Sequence, residues 1–142
     1  MNEIQPQQIF LIIWLIFAIT FLSVAYIRGK KALAVFPNLD TVKVNFREKF
    51  VSGRSHSALG GGNNVLDIII TNEELWIKCP IIFAAFGKTF DIIHRINLVD
   101  ISNIELVKKK VVISFKSRLN KKTIFDLKMK KSFEFIEIIK KK

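Results

Sequence analysis

The chain has 142 residues, a formal net charge of +11 and an apolar half, so extended disorder is excluded over most of it, and one ordinary domain plus an accessory segment is the expected size. Excess Lys and Arg suits nucleic-acid or membrane-surface partners, although a composition rich in Lys, Ile, Phe and Asn also arises in a biased genome. The lone Cys79 excludes an intrachain disulfide and a Cys-rich metal site.

Residues 1–8 read as a short extracytoplasmic tail. The next 19 residues, Ile9 to Ile27, contain no charge, Pro or Gly, and roughly 20 apolar residues in helix cross a bilayer core. A cleavable signal peptide would place basic residues before the run and a small-residue cleavage motif behind it. Met1 to Gln8 carries only Glu3, and no Ala-x-Ala pattern follows, so an uncleaved anchor is expected. Ile9 and Ile27 bound the span, and Trp14 and Tyr26 are its candidate interfacial anchors. Arg28, Lys30 and Lys31 follow directly, and every Lys and Arg lies beyond the run. Basic flanks stay in the cytoplasm, so the N-terminus is expected outside the cell membrane and the C-terminal domain in the cytoplasm.

Residues 28–41 hold the basic flank and then Pro37, Asn38 and Asp40, a juxtamembrane linker. From there the hydrophobic period is two. Val42, Val44 and Phe46 alternate with polar residues, as a half-buried strand does. Ser52 to Asn64 reads as a long Gly-rich connection. "VLDIIIT" and "ELWIK" read as a hairpin, "FDIIHRINL" as a strand from Phe90, and "VDISNIELV" as a turn and a short strand. Val111, Ile113 and Phe115 alternate next, followed after "SRLNKK" by Phe125, Leu127 and Met129. The last segment changes period: Ser132 is an N-cap candidate, Glu134 suits the first turn and Lys140 to Lys142 the last. Phe133, Ile136 and Ile139 supply its apolar face. The expected fold class is mainly β with terminal helices, about seven strands forming a small antiparallel barrel over residues 42–142, capped by the C-terminal helix.

This layout resembles the pleckstrin-homology-like (PH-like) superfold in its bacterial and GRAM-like variants, over roughly Val42 to Lys141. The resemblance rests on strand order, on "VLDIIITNEELWIK", on "HRINLVDISNIEL", which is similar to that family's "IPLxDIxxI" step, and on the closing helix. Asn97 stands where the step often has Pro, and the first connection is unusually long and Gly-rich. The resemblance implies binding of lipid or peptide rather than chemistry.

Motifs for chemistry are few. "FGKT", Phe86 to Thr89, ends like a phosphate-binding loop, but the glycine that motif needs five residues earlier is Ile82. Arg54 and His56, beside Gly60, Gly61 and Gly62, could cradle an anion, or the glycines simply supply unusual dihedrals. His56 and His94 are the only histidines and neither has a ligand partner nearby, so no metal site is expected. His94 reads as a solvent-facing strand residue. An enzyme acting on lipid head groups would need Arg54, His56 and an acid such as Asp67 to converge. No catalytic role and no cofactor are expected.

Lysines cluster at Lys108, Lys109 and Lys110, at Arg118, Lys121 and Lys122, and at Lys128, Lys130 and Lys131. They are either a patch for anionic head groups or a solvated face. No base-stacking aromatic pattern accompanies them, and no nucleic acid is expected. "CPIIFAAFGKT", Cys79 to Thr89, is too short to span and does not alternate, so it reads as a loop between strands. An exposed apolar loop needs a cover: the bilayer interface, a partner protein or the domain itself, the first two being favoured. The expected contact residues are Ile81, Ile82, Phe83, Phe86 and Lys88, with Lys108, Lys109, Lys110, Lys121 and Lys122. The expected function is non-catalytic binding of anionic membrane lipid at the inner leaflet. The rival is an adaptor that recruits another membrane protein through the same loop.

Overall fold

In the computed structural model, which describes residues 5–57, 60–116 and 121–141, the apolar run forms the first helix, α1, Pro6–Leu33. Pro6 occupies the first turn, where its missing N–H costs nothing. Thr20 and Ser23 return their hydroxyls to the carbonyls of Ile16 and Ile19, each at 2.8 Å, so both polar side chains are satisfied within an apolar helix. The helix does not stop at the end of the apolar run. It carries Arg28, Lys30 and Lys31 to Leu33, ending shortly before Pro37, which disfavours helical geometry in the residue ahead of it. The first part of the expected linker is therefore helix. Among the described residues α1 alone is long and apolar enough to cross a membrane.

Seven antiparallel strands follow: β1 Val44–Ser55, β2 Gly61–Thr71, β3 Glu74–Lys78, β4 His94–Asn97, β5 Ile101–Val107, β6 Lys110–Lys116 and β7 Lys122–Lys128. They form one sheet in the order β4-β3-β2-β1-β7-β6-β5. β1 joins its two halves. β2 pairs along it from Val44 to Arg54, and Ser52 to Ser55 pairs on its other edge with β7. The β7 pairing begins just after a bulge, where Phe50 has φ 60° and the register against β2 shifts between Glu48 and Val51. A bulge bends and twists its strand, and here it stands where β1 begins to carry a neighbour on each edge.

Three strand expectations are corrected. Ser52 to Asn64 is mostly strand, not connection, with β1 running to Ser55 and β2 starting at Gly61. Gly53 is needed for close packing here, since a Cβ there would lie 2.5 Å from Leu66 and 2.6 Å from Phe125. Val42 precedes β1 and Val44 is exposed at its start, so only Phe46 of that alternating trio is buried. β4 begins at His94 rather than Phe90, because the chain is helical as far as Phe90 and Asp91 then turns left-handed, at φ 49°.

The core lies on one side of the sheet: Phe46, Leu66, Ile68, Ile70, Leu75, Ile77, Val111, Ile113, Phe115, Phe125 and Leu127. The last helix, α4, Ser132–Lys140, buries Phe135 in that core edge-on to Phe46, with ring centroids 5.4 Å apart. Its buried face is Ser132, Phe135 and Ile139. The expected face is thus corrected at Phe133, which is 77% exposed. Ser132 lies inside the helix rather than capping it. The cap comes from across the fold, where the Glu48 carboxylate accepts from the amides of Lys130 and Lys131 at 2.7 and 2.9 Å. Negative charge is favoured at that end of a helix.

Candidate functional site

The opening apolar stretch is neither strand nor irregular loop. Pro80 leads into one helical turn, α2, Ile81–Ala84, and a second, α3, Gly87–Phe90, follows after Ala85 and Phe86. Cys79 and Ala84 are buried in the domain core. Burial pushes the Cys79 thiol up to about 11, which leaves it protonated and inert. Ile81 faces α1. Gly29 is where the two backbones meet, since a Cβ there would stand 1.8 Å from the Ile81 carbonyl oxygen. Ala25, one turn earlier, is buried as well. Small residues four apart make a notch that lets another backbone come close. The fully exposed loop is accordingly corrected to a partly self-covered helical pair.

What remains uncovered is one face of that pair. Ile82, Phe83 and Phe86 are 49%, 51% and 41% exposed. The Phe86 ring stacks on Phe21 at a centroid distance of 6.3 Å. Ile82 closes a groove along α1 with Leu22, Ser23, Tyr26 and Ile27. Three expected contact residues (Ile81, Ile82 and Phe86) and two expected anchors (Tyr26 and Ile27) thus meet along α1. Trp14 and Ile9 lie farther up α1, exposed. The side chain of Lys88 is outside the described residues.

A second attachment holds the segment after α1 to the sheet. Phe36 packs on Trp76 at 5.6 Å, and Arg95 donates to the Val35 carbonyl at 2.8 Å. Arg95 is itself held by both carboxylate oxygens of Glu74, at 2.9 and 2.8 Å, and Trp76 Nε1 donates to Glu74 at 2.7 Å. With this cover on the outer face of β2 and β3, Ile69 and Trp76 are as buried as the core. That is why "IIIT" and "LWI" do not alternate.

The lysines fall into two groups. Lys108 and Lys109 form the β5–β6 turn with positive φ, and Lys110 opens β6. Lys121 precedes β7, and Lys122 opens it opposite Lys116, at the far end of β6, about 20 Å away at a strand's rise per residue. Arg118 lies outside the described residues. Lys110 lines an open hollow of about 690 Å³ with Lys128, Arg54, His56, Asp126, Gly61 and Gly62. His56 Nε2 is 2.9 Å from Asp126 Oδ1. The acid considered beside Arg54 and His56, Asp67, is instead gripped by Arg47 at 3.0 and 2.7 Å.

His94 overturns the solvent-facing expectation. Its ring is packed edge-on between Phe115 and Phe125, with the side chain 11% exposed. Nε2 lies 2.8 Å from the Asp91 carbonyl and 3.2 Å from its carboxylate, so that nitrogen carries a proton. Ser55, at 2.5 Å, and Ser57 donate to the other carboxylate oxygen of Asp91. The carboxylate thus stands between hydroxyls and imidazole, whereas an activated nucleophile has the imidazole in the middle. The cluster ties the β1 end to the start of β4. No sequence signal announces it, because Ser55 and Asp91 are 36 residues apart. Among the described residues no group of three or more His, Cys, Asp or Glu is placed to hold a metal.

Compared with known proteins, the chain matches no family model and no curated sequence. Its role has to be argued from its own geometry.

Proposed function

We propose that the chain is a single-pass membrane protein whose C-terminal domain sits on the inner leaflet and binds anionic lipid, without catalysis. One observation carries the reading: the exposed face of α2 and α3 stands beside the apolar part of α1 rather than beyond its end. Phe86 stacks on Phe21, which is six residues, or about 9 Å, inside Ile27. If α1 spans, Ile82, Phe83 and Phe86 reach the depth of the head-group and acyl boundary, where apolar side chains of peripheral helices are buried. Arg28, Lys30 and Lys31 supply the basic charge next to that boundary, each worth about 1 kcal/mol near an anionic surface, and favour the cytoplasmic side.

Retention of α1 is supported by how its last turns are built into the domain. Ala25 and Gly29 are buried, and Ala32 and Leu33 pack against the core. Removing the helix would strip cover from α2. The finer fold reading, a PH-like barrel with α4 as its plug, is supported by β1 pairing with both halves of the sheet and by Phe135 entering the core. The second reading, an adaptor, uses the same uncovered face as its hot spot, since aromatic anchors such as Phe83 and Phe86 suit a partner pocket.

A photo-crosslinking residue at position 83 of the full chain, in native membranes, separates them. Lipid adducts are expected, and a discrete protein adduct in their place would hand the face to the adaptor. A cytosolic reporter fused after Lys142 is expected to be active. Activity of an extracytoplasmic reporter at that site would overturn the inner-leaflet assignment.

A further inference from the structure

We infer that the groove between α1 and α2 is a seat for one anionic phospholipid, its acyl chain along Leu22, Ile27 and Ile82 and its phosphate at Lys30. The inference rests on the reading that α1 spans the membrane, and adds to it a single defined lipid site.

The groove has about 480 Å³ and is walled by Leu22, Ser23, Tyr26 and Ile27 of α1 and by Ile82 of α2. Positions 22, 23, 26 and 27 share one helical face, and Lys30 continues that face one turn beyond Tyr26. Ser23 offers the groove no free donor, since its hydroxyl is already bonded to the Ile19 carbonyl at 2.8 Å. The lining is therefore apolar along its length, with the Tyr26 phenol and the Lys30 ammonium following at its basic end. That sequence, apolar then amphipathic then cationic, matches the profile of a phospholipid from chain to phosphate. Lys30 is exposed, and among the described residues no carboxylate pairs with it. A bare helix meets lipid on one side of each chain. Here α2 adds a second wall, held in place by the Gly29 contact, so a chain in the groove is flanked by protein twice.

The test uses the full chain purified in mild detergent, with phosphatidylglycerol or phosphatidylcholine added at equal mole fraction and retention read by native mass spectrometry. Wild type is expected to keep one phosphatidylglycerol in preference to phosphatidylcholine. Ser23→Trp, which fills the groove from an exposed position, is expected to lose it, while Val24→Trp on a neighbouring face keeps it. Lys30→Gln is expected to lower retention of phosphatidylglycerol about fivefold, the loss of one surface cation, and to erase the head-group preference. Equal retention by Ser23→Trp and Val24→Trp would overturn the seat, as would a lipid-free dimer mass that disappears in Ser23→Trp, which would give the groove to a second copy of the helix. Unfolding midpoints confirm that the variants are folded. Alkaline carbonate extraction of wild-type membranes separates the two levels. Release of the chain means that the spanning reading has failed, whereas firm retention together with lipid-bearing Ser23→Trp means that only the seat has.

Discussion

His94 sits where desolvation and a nearby carboxylate pull in opposite directions. Burial between Phe115 and Phe125 disfavours the imidazolium, while Asp91 favours it; burial is the larger, and the pKa falls below the ordinary 6.5. In the unfolded chain the same imidazole titrates at its usual value, so below that value the unfolded state binds more protons than the folded one. Stability from this site is complete above the unfolded pKa and is lost as pH falls from there toward the folded pKa, with a slope of up to about 1.4 kcal/mol per pH unit for one proton. Replacing His94 with Gln keeps a donor for Asp91 and removes the titration. The unfolding midpoint of His94→Gln is expected to fall less than that of wild type between about pH 7 and about pH 5. Parallel curves for the two proteins would show that the buried imidazole is not what responds.

At the scale of elements, α4 shows how a correct helix assignment can still choose the wrong face. Phe133, Ile136 and Ile139 recur every three residues, a spacing that drifts round a helix of 3.6 residues per turn. The face that packs is Ser132, Phe135 and Ile139, with Ile136 and Ile138 at its margins, the i, i+3, i+7 pattern of an amphipathic helix. Phe135→Ala should cost about 3–5 kcal/mol, through lost burial and the cavity left beside Phe46. Phe133→Ala should leave the denaturation midpoint nearly unchanged, because that ring is 77% exposed. Chemical denaturation of the two variants side by side decides it. A larger loss for Phe133 would mean that α4 docks on its other face.

For the whole molecule, the decisive contact joins the apolar helix to the domain it carries. Two attachments, Gly29 against Ile81 and Phe36 with Arg95 against the outer face of the sheet, make the junction a fixed one. The height of α2 and α3 along α1 is therefore built in. Gly29→Leu forces a side chain into the space of a backbone carbonyl, and overpacking of this kind typically costs about 1–3 kcal/mol. Amide hydrogen exchange across residues 79–90 is expected to accelerate in Gly29→Leu, with β6 and β7 keeping their protection. Val24→Leu, exposed on a neighbouring face of α1, serves as the control. Unchanged exchange in Gly29→Leu would show that α2 holds its place without the notch.

Periodicity alone determined a good part of this protein. The alternation of Val111, Ile113 and Phe115, and of Phe125, Leu127 and Met129, marks one-sided burial, and each of these six side chains is buried. The uncharged run from Ile9 to Ile27 could only be helix, since nothing in it interrupts one and its length suits a bilayer. Local patterns succeed at such places because the environment repeats along the chain. They fail where the partner is distant. Ile81 to Phe86 reads as an unpartnered apolar loop, because the notch that receives it is made by Ala25 and Gly29, more than fifty residues earlier. Gly53 reads as a loop former, because the side chains that exclude a Cβ there come from β2 and β7. His94 reads as solvent-facing, because the two phenylalanines that enclose its ring come from β6 and β7. Ile69 and Trp76 break alternation because the stretch after α1 covers the outer face of the sheet. Each of these was decided by tertiary structure, for one physical reason: burial on a second face depends on what folds against it, and a chain's own period records only the first.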